Sequence, residues 1–505
     1  MATERSTSAM EAPVVVASNR GPITYVRNDH GKLVPRKGAG GLVTALSGVF
    51  FLGDATWVAA ASTDLDAEIA RGGRAIGAGP SQRVRFVNLP ADTYDQYYNG
   101  FSNRVLWFAF HYLWDVARSP VFGSETRDAW AAYGEANTAF AKALEKESSR
   151  DPVYLIQDYH LSLTPAMLRA ARPDARIVHY SHTPFAGPQY LRIIPTTMRE
   201  GVIRGMAGAD VVGFQSRAWA ENFLLSARQV PGLRTDLRSG RITTGDHVAH
   251  VRVFPVAVNT QALREAQSSP EAAAAREEIS ELRGDRKLLL RVDRLEPSKN
   301  IVRGFLAYEA FLRRNPNWRG RVTFLALLSP TRDKLPEYQA YADECDAEAS
   351  RINEELGTQE WTPIEMRVQE DFLFAVGAYG TYDALLVNPV YDGMNLVAME
   401  GPIVNERRGA LVLSRNAGAW ERIGRHALGV NPFDIEETSE AILAALEMSS
   451  DERARRTRGL QRGVLGHTPD SWLAAQLESV DHVRQRPAAR GIAAIDDLDI
   501  HVGGG

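Results

Sequence analysis

The sequence predicts an α/β protein of the two-domain kind, with two Rossmann-like, doubly wound domains facing each other across a cleft. Three observations predict it. The chain has 505 residues, more than one hydrophobic core usually supports, so at least two domains are expected. Short, continuously apolar, β-branched runs recur along it, the pattern of strands covered on both faces. Helix-length segments separate those runs, which makes them parallel strands joined by crossovers.

The first half contributes "PVVVAS" (13–18), "VYLIQD" (153–158), "RIVHYSH" (176–182), "DVVGFQ" (210–215) and "HVRVFPVAV" (250–258). The second contributes "KLLLRVD" (287–293), "VTFLALLS" (322–329), "DALLVNP" (383–389), "ALVLSRN" (410–416) and "ALGVNPF" (427–433). Between them "SSPEAAAAREEISELRGD" reads as an exposed helix, with Ser269 as N-cap and Pro270 at its first position. The expected domains are therefore 1–259 and 260–475, with 476–505 a helix returning to the first domain and then a disordered tail.

Composition excludes several classes. With 58 basic and 62 acidic side chains, net charge −4, the chain lacks the basic excess of a nucleic-acid binder. One cysteine, Cys345, allows no intrachain disulfide and no cysteine metal site. The start lacks a basic segment followed by an apolar one, and no apolar run reaches the roughly 18 residues of a membrane span. A cytoplasmic protein is expected, and homo-oligomer formation stays open.

In parallel α/β sheets ligands bind at the carboxyl ends of strands, so those loops are read first. "ASNRGP" puts Arg20 at the first strand's end, and "GAGGL" (38–42) opens a helix where amides can approach an anion. A flexible turn beside a surface arginine is the plainer alternative, and no GxGxxG nicotinamide fingerprint is present. "YDQYYNGFSNRVLWFAFHY" (94–112) carries Tyr98 and Trp107. Such rings are commonly core, yet Tyr-Tyr-Asn-Gly reads as a polar turn that suits a carbohydrate pocket. Asp158 and His182 end two strands; His160, His179 and His182 match no metal-ligand spacing, so no metal and no cofactor are expected.

"RVDRLEPSKN" (291–300) supplies Arg294 and Lys299 after a strand, either a solvated charged turn or a grip for a diphosphate leaving group. "LSPTRDK" (328–334) adds Arg332. In "NPVYDGMNLVAMEG" (388–401) the amides after Asp392, those of Gly393, Met394, Asn395 and Leu396, can cradle phosphate. Glu400 would lie about two helical turns beyond Asp392.

With these motifs in order, the chain resembles the trehalose-6-phosphate synthases, retaining glycosyltransferases of the GT-B fold. The likeness runs from about 13 to about 480 and rests on "SNR", "AGGL", "YYNGFSN", "VLWFAFHY", "DYHL", "HTPF", "RLEPSKN" and "DGMNLVAMEG". It implies an acceptor domain at 1–259, a nucleotide-sugar donor domain at 260–475, and transfer of glucose from a nucleoside-diphosphate glucose to glucose 6-phosphate. By that resemblance Arg20, Tyr98 and Arg332 hold the acceptor phosphate, and Trp107 and Asp158 shape the acceptor sugar pocket. Arg294 and Lys299 grip the donor diphosphate in place of a metal. Asp392 and His182 flank the donor glucose, Glu400 takes the ribose hydroxyls, and Gly41 lets a loop close. A front-face mechanism is implied, in which the leaving phosphate helps deprotonate the incoming hydroxyl.

Two stretches depart from the family pattern. After "TW" (56–57) the chain reads "VAAAS", where many members carry a second tryptophan in the acceptor loop. "MEGPIVNERRGALVLS" is closer to actinobacterial relatives, some with guanine donors, which favours GDP-glucose slightly over UDP-glucose. Two rival readings are a pseudo-glycosyltransferase acting on cyclitols and a non-catalytic sugar-phosphate sensor. Both would be expected to alter motifs that stand here in synthase form.

Overall fold

The computed structural model describes residues 12–28, 32–37, 55–79, 82–147, 151–332 and 335–485. The glycines of 38–42, Gly41 among them, and the tail beyond Gln485 lie outside the described residues. The chain divides into two compact units: one runs to Val256 and resumes at Pro469, and the other is Ala257–Thr468. No described helix is long and apolar enough to cross a membrane.

The first unit holds β1 (Val14–Ser18), β2 (Ile23–Arg27), β3 (Leu33–Lys37), β4 (Ala55–Ala60), β5 (Ile76–Gly79) and β6 (Gln82–Val87). It continues with β7 (Val153–Gln157), β8 (Arg176–Tyr180), β9 (Val211–Phe214), β10 (Arg234–Asp236), β11 (Arg241–Thr244) and β12 (His247–Val253). One sheet runs β10-β11-β12-β9-β8-β7-β1-β4-β6-β5, while β2 and β3 form a separate hairpin. The pairings from β12 across to β6 are parallel. The chain starts at the centre, winds outward through β4 and β6, and then returns to β7 on the other side of β1. That reversal leaves a crevice at the carboxyl ends of β1 and β7, where ligands of such sheets bind.

Every residue of β1, β7, β8 and β9 is buried, as continuous apolar runs require when helices cover both faces. The helix Pro469–Gln485 belongs to this packing. Its Trp472 is fully buried, donates from Nε1 to the Phe254 carbonyl at 3.0 Å, and sits edge-on to Tyr180 at 5.1 Å. Tyr180 ends β8, so this indole fixes the strand end that leads to His182.

The second unit holds β13 (Lys287–Arg294), β14 (Val322–Ser329), β15 (Ile364–Val368), β16 (Ala384–Val387), β17 (Ala410–Ser414) and β18 (Leu428–Val430). Their order is β15-β14-β13-β16-β17-β18, all parallel, with the reversal between β13 and β16. The helix Pro270–Arg283 starts as the sequence predicts, with the Ser269 hydroxyl accepting from the Ala272 amide at 3.2 Å. Arg291, fully buried within β13, is accommodated because a Cβ on Gly304 of the covering helix would come within 2.8 Å of its guanidinium.

Two expectations are corrected. Tyr-Tyr-Asn-Gly is not a turn: Gln96–Trp107 is helical with the wider i→i+5 spacing. Gly100 serves close packing instead, since a Cβ there would meet the Ala129 side chain at 2.9 Å. The "VAAA" stretch lies largely within the sheet: Val58, Ala59 and Ala60 are core residues of β4, and Ala59 leaves just enough room for Gly21.

Trp472→Ala removes a fully buried indole and is expected to destabilise the first unit by about 3–5 kcal/mol. The measurement is amide exchange along β8 together with the urea midpoint. Unchanged exchange at β8 would separate this helix from the strand it covers.

Candidate active site

In the second unit, the loops after β13 and β16 meet at the reversal of strand order. Lys299 Nζ lies 2.5 Å from Asp392 Oδ2, with the two side chains only 12% and 14% exposed. Burial pulls the Lys299 ammonium down, and the charges of Asp392 and Asp293 more than offset it, leaving the group above its ordinary value. It is therefore a fixed cation at neutral pH.

Lys299 is held from behind. Arg291 donates to its carbonyl at 2.9 Å and to Asp293 at 3.1 Å, and also bonds Asn388 at the end of β16. Asn300, at φ 60°, donates to the carbonyls of Asn388 and Pro432 at 3.0 and 2.7 Å. Arg294 is 44% exposed and pairs with the fully buried Glu296 at 2.8 Å. Arg332, at φ 48°, uses the other Glu296 oxygen at 3.0 Å and the Tyr338 hydroxyl at 2.8 Å, and its side chain is only 7% exposed. Arg332 thus stands with the Arg294 cluster, already ion-paired.

The turn after Asp392 is set by its own side chains. Asn395, at φ 72°, donates to Asp392 at 3.1 Å and accepts from the Ala398 amide at 3.1 Å, capping the helix Val397–Val404. The loop after β17 presses against it: a Cβ on Gly418 would fall 2.0 Å from the Gly393 carbonyl, and Ala419 N–H donates to Met394 O at 2.8 Å. Among the described residues the amides of Met394, Asn395 and Leu396 meet no acceptor. Clustered donors of this kind at a helix start form an anion-binding turn.

Glu400 lies on that helix, but in its first turn rather than two turns along, because 392–396 is not helical. It is partly buried with the Tyr379 hydroxyl 3.5 Å away, and burial pushes its carboxyl up to about 7. Asp293 is likewise raised by burial to about 6, against the opposing charges of Arg291 and Lys299.

In the first unit a second polar cluster stands at the carboxyl ends of β1, β7 and β8. Arg20, exposed after β1, donates to the Tyr98 hydroxyl at 3.3 Å, and Tyr98 stacks on Tyr94 and His160 at 5.6 Å each. Asp158, at φ 72°, accepts from the His182 amide at 3.2 Å. The His182 ring Nε2 meets the Gln157 side-chain amide at 3.0 Å. Burial, then the neighbouring His179, pulls the His182 imidazole down to about 3, so it works as a neutral group. Trp107 is separated from the exposed part of this cluster: it is 6% exposed and stacked on His111 at 3.9 Å.

Sequence reasoning missed Asp293, Glu296, Asn300, Asn388 and the "NAG" loop at 416–418. Asp293 and Asn388 are polar residues at the ends of apolar runs, the signal that could have marked them, and Glu296 and Asn300 lie in the polar loop after β13. Nothing local ties "NAG" to residues 393–394.

A family model, "Glycosyltransferase family 20", matches residues 12–482. The trehalose-6-phosphate synthase of Mycobacterium ulcerans is 33% identical over 95% of this chain and 96% of that protein. The bifunctional trehalose-6-phosphate synthase/phosphatase of Thermoproteus tenax is 32% identical over 89% of this chain, which spans only 60% of that protein's length. An Arabidopsis thaliana α,α-trehalose-phosphate synthase (UDP-forming) is likewise matched over 48% of its length. Among solved structures, a UDP-forming α,α-trehalose-phosphate synthase from Burkholderia xenovorans in complex with glucose-6-phosphate has a TM-score of 0.81 at 27% identity, covering 93% of this chain and all of that one. An Escherichia coli relative bound to UDP-2-fluoro glucose gives 0.80, also at 27%, covering 93% and 99%.

Glu400 binds its proton more tightly folded than unfolded, so the folded state carries the extra proton between about pH 4.5 and 7. Its contribution to stability is present below that window and is lost as pH rises through it. Glu400→Gln is expected to remove about 1–2 kcal/mol of that decline. Urea midpoints at pH 5 and 8 read it, and an identical slope in the variant would contradict the raised carboxyl.

Proposed function

The chain belongs to glycosyltransferase family 20, the trehalose-6-phosphate synthase family, and we propose that it is an α,α-trehalose-6-phosphate synthase. It moves glucose, with retention, from a nucleoside-diphosphate glucose to glucose 6-phosphate. The observation that carries this reading is the Lys299–Asp392 pair at the strand reversal, beside three amides without acceptors and the half-exposed Arg294.

Each group has a role fitted to its chemistry. Arg294, Lys299 and the amides from Gly393 to Leu396 meet the donor diphosphate and stabilise the charge that grows on it as the glycosidic bond breaks. Asp392, holding Lys299 with one oxygen, offers acceptor capacity to glucose hydroxyls. His182, neutral, hydrogen-bonds a sugar hydroxyl without competing for phosphate. Glu400 accepts from the ribose hydroxyls. Arg20 and Tyr98 receive the acceptor phosphate, and Asp158, in a strained backbone conformation, orients the acceptor sugar. Arg332 joins the phosphate contacts by exchanging Glu296 for the ligand, and Trp107 backs the acceptor pocket from the core. Gly41 permits loop closure. No protein nucleophile stands among these roles, which agrees with retention through assistance by the leaving phosphate.

GDP-glucose is proposed as the preferred donor with UDP-glucose next, on the departure of "MEGPIVNERRGALVLS" from the commoner pattern. The test is a panel of GDP-, UDP- and ADP-glucose with glucose 6-phosphate, reading released nucleotide and trehalose 6-phosphate. Product with none of the three would overturn the synthase reading, and a UDP-glucose preference would overturn the donor assignment alone.

Lys299→Ala and Arg294→Ala are each expected to lower kcat at least about 100-fold, the scale of losing one preorganised donor to a developing anion. Arg20→Ala should instead raise KM for glucose 6-phosphate by about tenfold or more while donor affinity holds. Equal loss of affinity for both substrates would contradict the acceptor role of Arg20.

A further inference from the structure

The carboxyl edge of the second unit's sheet carries the residues described above, but its amino edge carries a separate feature. A cavity of about 490 Å³ opens there, lined by Lys287, Arg407, Arg408, Arg453 and Ser450, with Glu406 as its one carboxylate. Lys287 begins β13, and the other basic groups come from the segment before β17 and from the helix Ser450–Leu465. The eight residues of β13 put about 23 Å between this edge and Arg294, so the two sites share no side chain.

The charges are unbalanced. Asp383, fully buried just before β16, accepts from the Leu288 amide at 3.0 Å. Around its two oxygens stand Lys287 at 3.2 Å, Arg407 at 3.1 Å, Arg453 at 3.6 Å and Arg283 at 3.7 Å. One carboxylate thus faces four cations. Glu406, which accepts from Gln267 at 3.1 Å, adds one more carboxylate, so the cations still outnumber the anions. Burial, then the Arg407 charge, holds the Arg283 guanidinium below its ordinary value against the opposing charges of Asp383 and Asp285.

Arg408 adds a fifth cation that has no protein partner among the described residues. Its backbone is left-handed, at φ 54°, and the next residue, Gly409, is wedged where a Cβ would meet the Tyr382 ring at 2.3 Å. The backbone is thereby committed to a conformation that a non-glycine residue adopts at a cost. Ser450 opens a sixteen-residue helix capped by Ser449, whose positive end adds to the same field.

We propose that this cavity binds a small phosphorylated metabolite by its phosphate group. Forked guanidinium groups match phosphate oxygens in pairs, and two arginines beside a lysine supply that geometry. The volume exceeds that of a lone oxyanion and lies in the range of small-molecule pockets. A nucleic-acid strand would need an extended basic surface, which a concave pocket on a chain of net charge −4 does not provide. The site is additional to the synthase reading and does not depend on it.

The test is calorimetric titration of the full chain with pyrophosphate, and with ribose 5-phosphate as a phosphate ester. The wild type is expected to show a pyrophosphate site in the cavity besides those at the proposed substrate groups. The R20A/R294A/K299A variant should keep the cavity class, and R407Q/R408S should weaken that class at least about tenfold. R408S alone alters an exposed residue without a protein partner, and should weaken the class at least about threefold even if the double variant misfolds. Ribose 5-phosphate binding to R20A/R294A/K299A would identify an organic ester, and pyrophosphate binding alone an inorganic ligand; both sustain the phosphate site. Loss of all binding in R20A/R294A/K299A, or wild-type binding by a folded R408S, would overturn it.

Discussion

The geometry of the second unit depends on the contact between Lys299 and Asp392. It joins the loop after β13 to the loop after β16 at the place where strand order reverses. A largely desolvated ion pair adds little net stability, because desolvation offsets most of the Coulomb attraction. What it contributes is position. Arg291 and Asn388 brace the backbone of one partner, and Asn395 and the Gly418 loop brace the turn that carries the other. The Val390 amide donates to the Ser298 carbonyl at 2.9 Å, so the two loops are held as one surface. In the proposed donor site a diphosphate would meet charge that is already oriented, which is the condition under which electrostatic stabilisation is effective.

Strained backbone recurs in the loops that follow strands. Asp158, Asn300, Arg332 and Asn395 all have positive φ without being glycine and stand in such loops, whereas Tyr112 and Asp151 share that φ elsewhere in the first unit. Such residues cost on the order of 1 kcal/mol or more apiece and persist only where the surroundings over-determine them. Arg408 is the matching case at the opposite edge of the second sheet. The coincidence of strain with concentrated charge, at both edges, is the physical reason for reading each as a place where a ligand sits.

Much of this was legible in the sequence, for identifiable reasons. Strands such as Leu288–Leu290 and Val153–Ile156 are buried on both faces, so their apolar runs are continuous and easily read. Strands β4, β5 and β15 were missed because alanine, glycine or charged side chains interrupt that signal. Arg20, Lys299 and Asp392 were found because parallel sheets present ligand groups at strand ends. Tyr-Tyr-Asn-Gly was misread as a turn because Gly100 answers a packing demand from Ala129, a partner 29 positions away that no local pattern reveals. The long-range braces, Gly418 against Gly393 and Asn300 against Pro432, were hidden for the same reason. The basic cavity at the amino edge was hidden too, since its cations come from three separate stretches of chain.

In the proposed donor site Lys299 and Asp392 act as one unit in holding the diphosphate. A double-mutant cycle tests this most directly, with Lys299→Met, Asp392→Asn and the pair, read as affinity for GDP and for UDP by calorimetry. Strong coupling is expected, the double variant losing at least about 1 kcal/mol less than the sum of the single losses. Losses that simply add would contradict it, since the two residues would then meet the ligand independently.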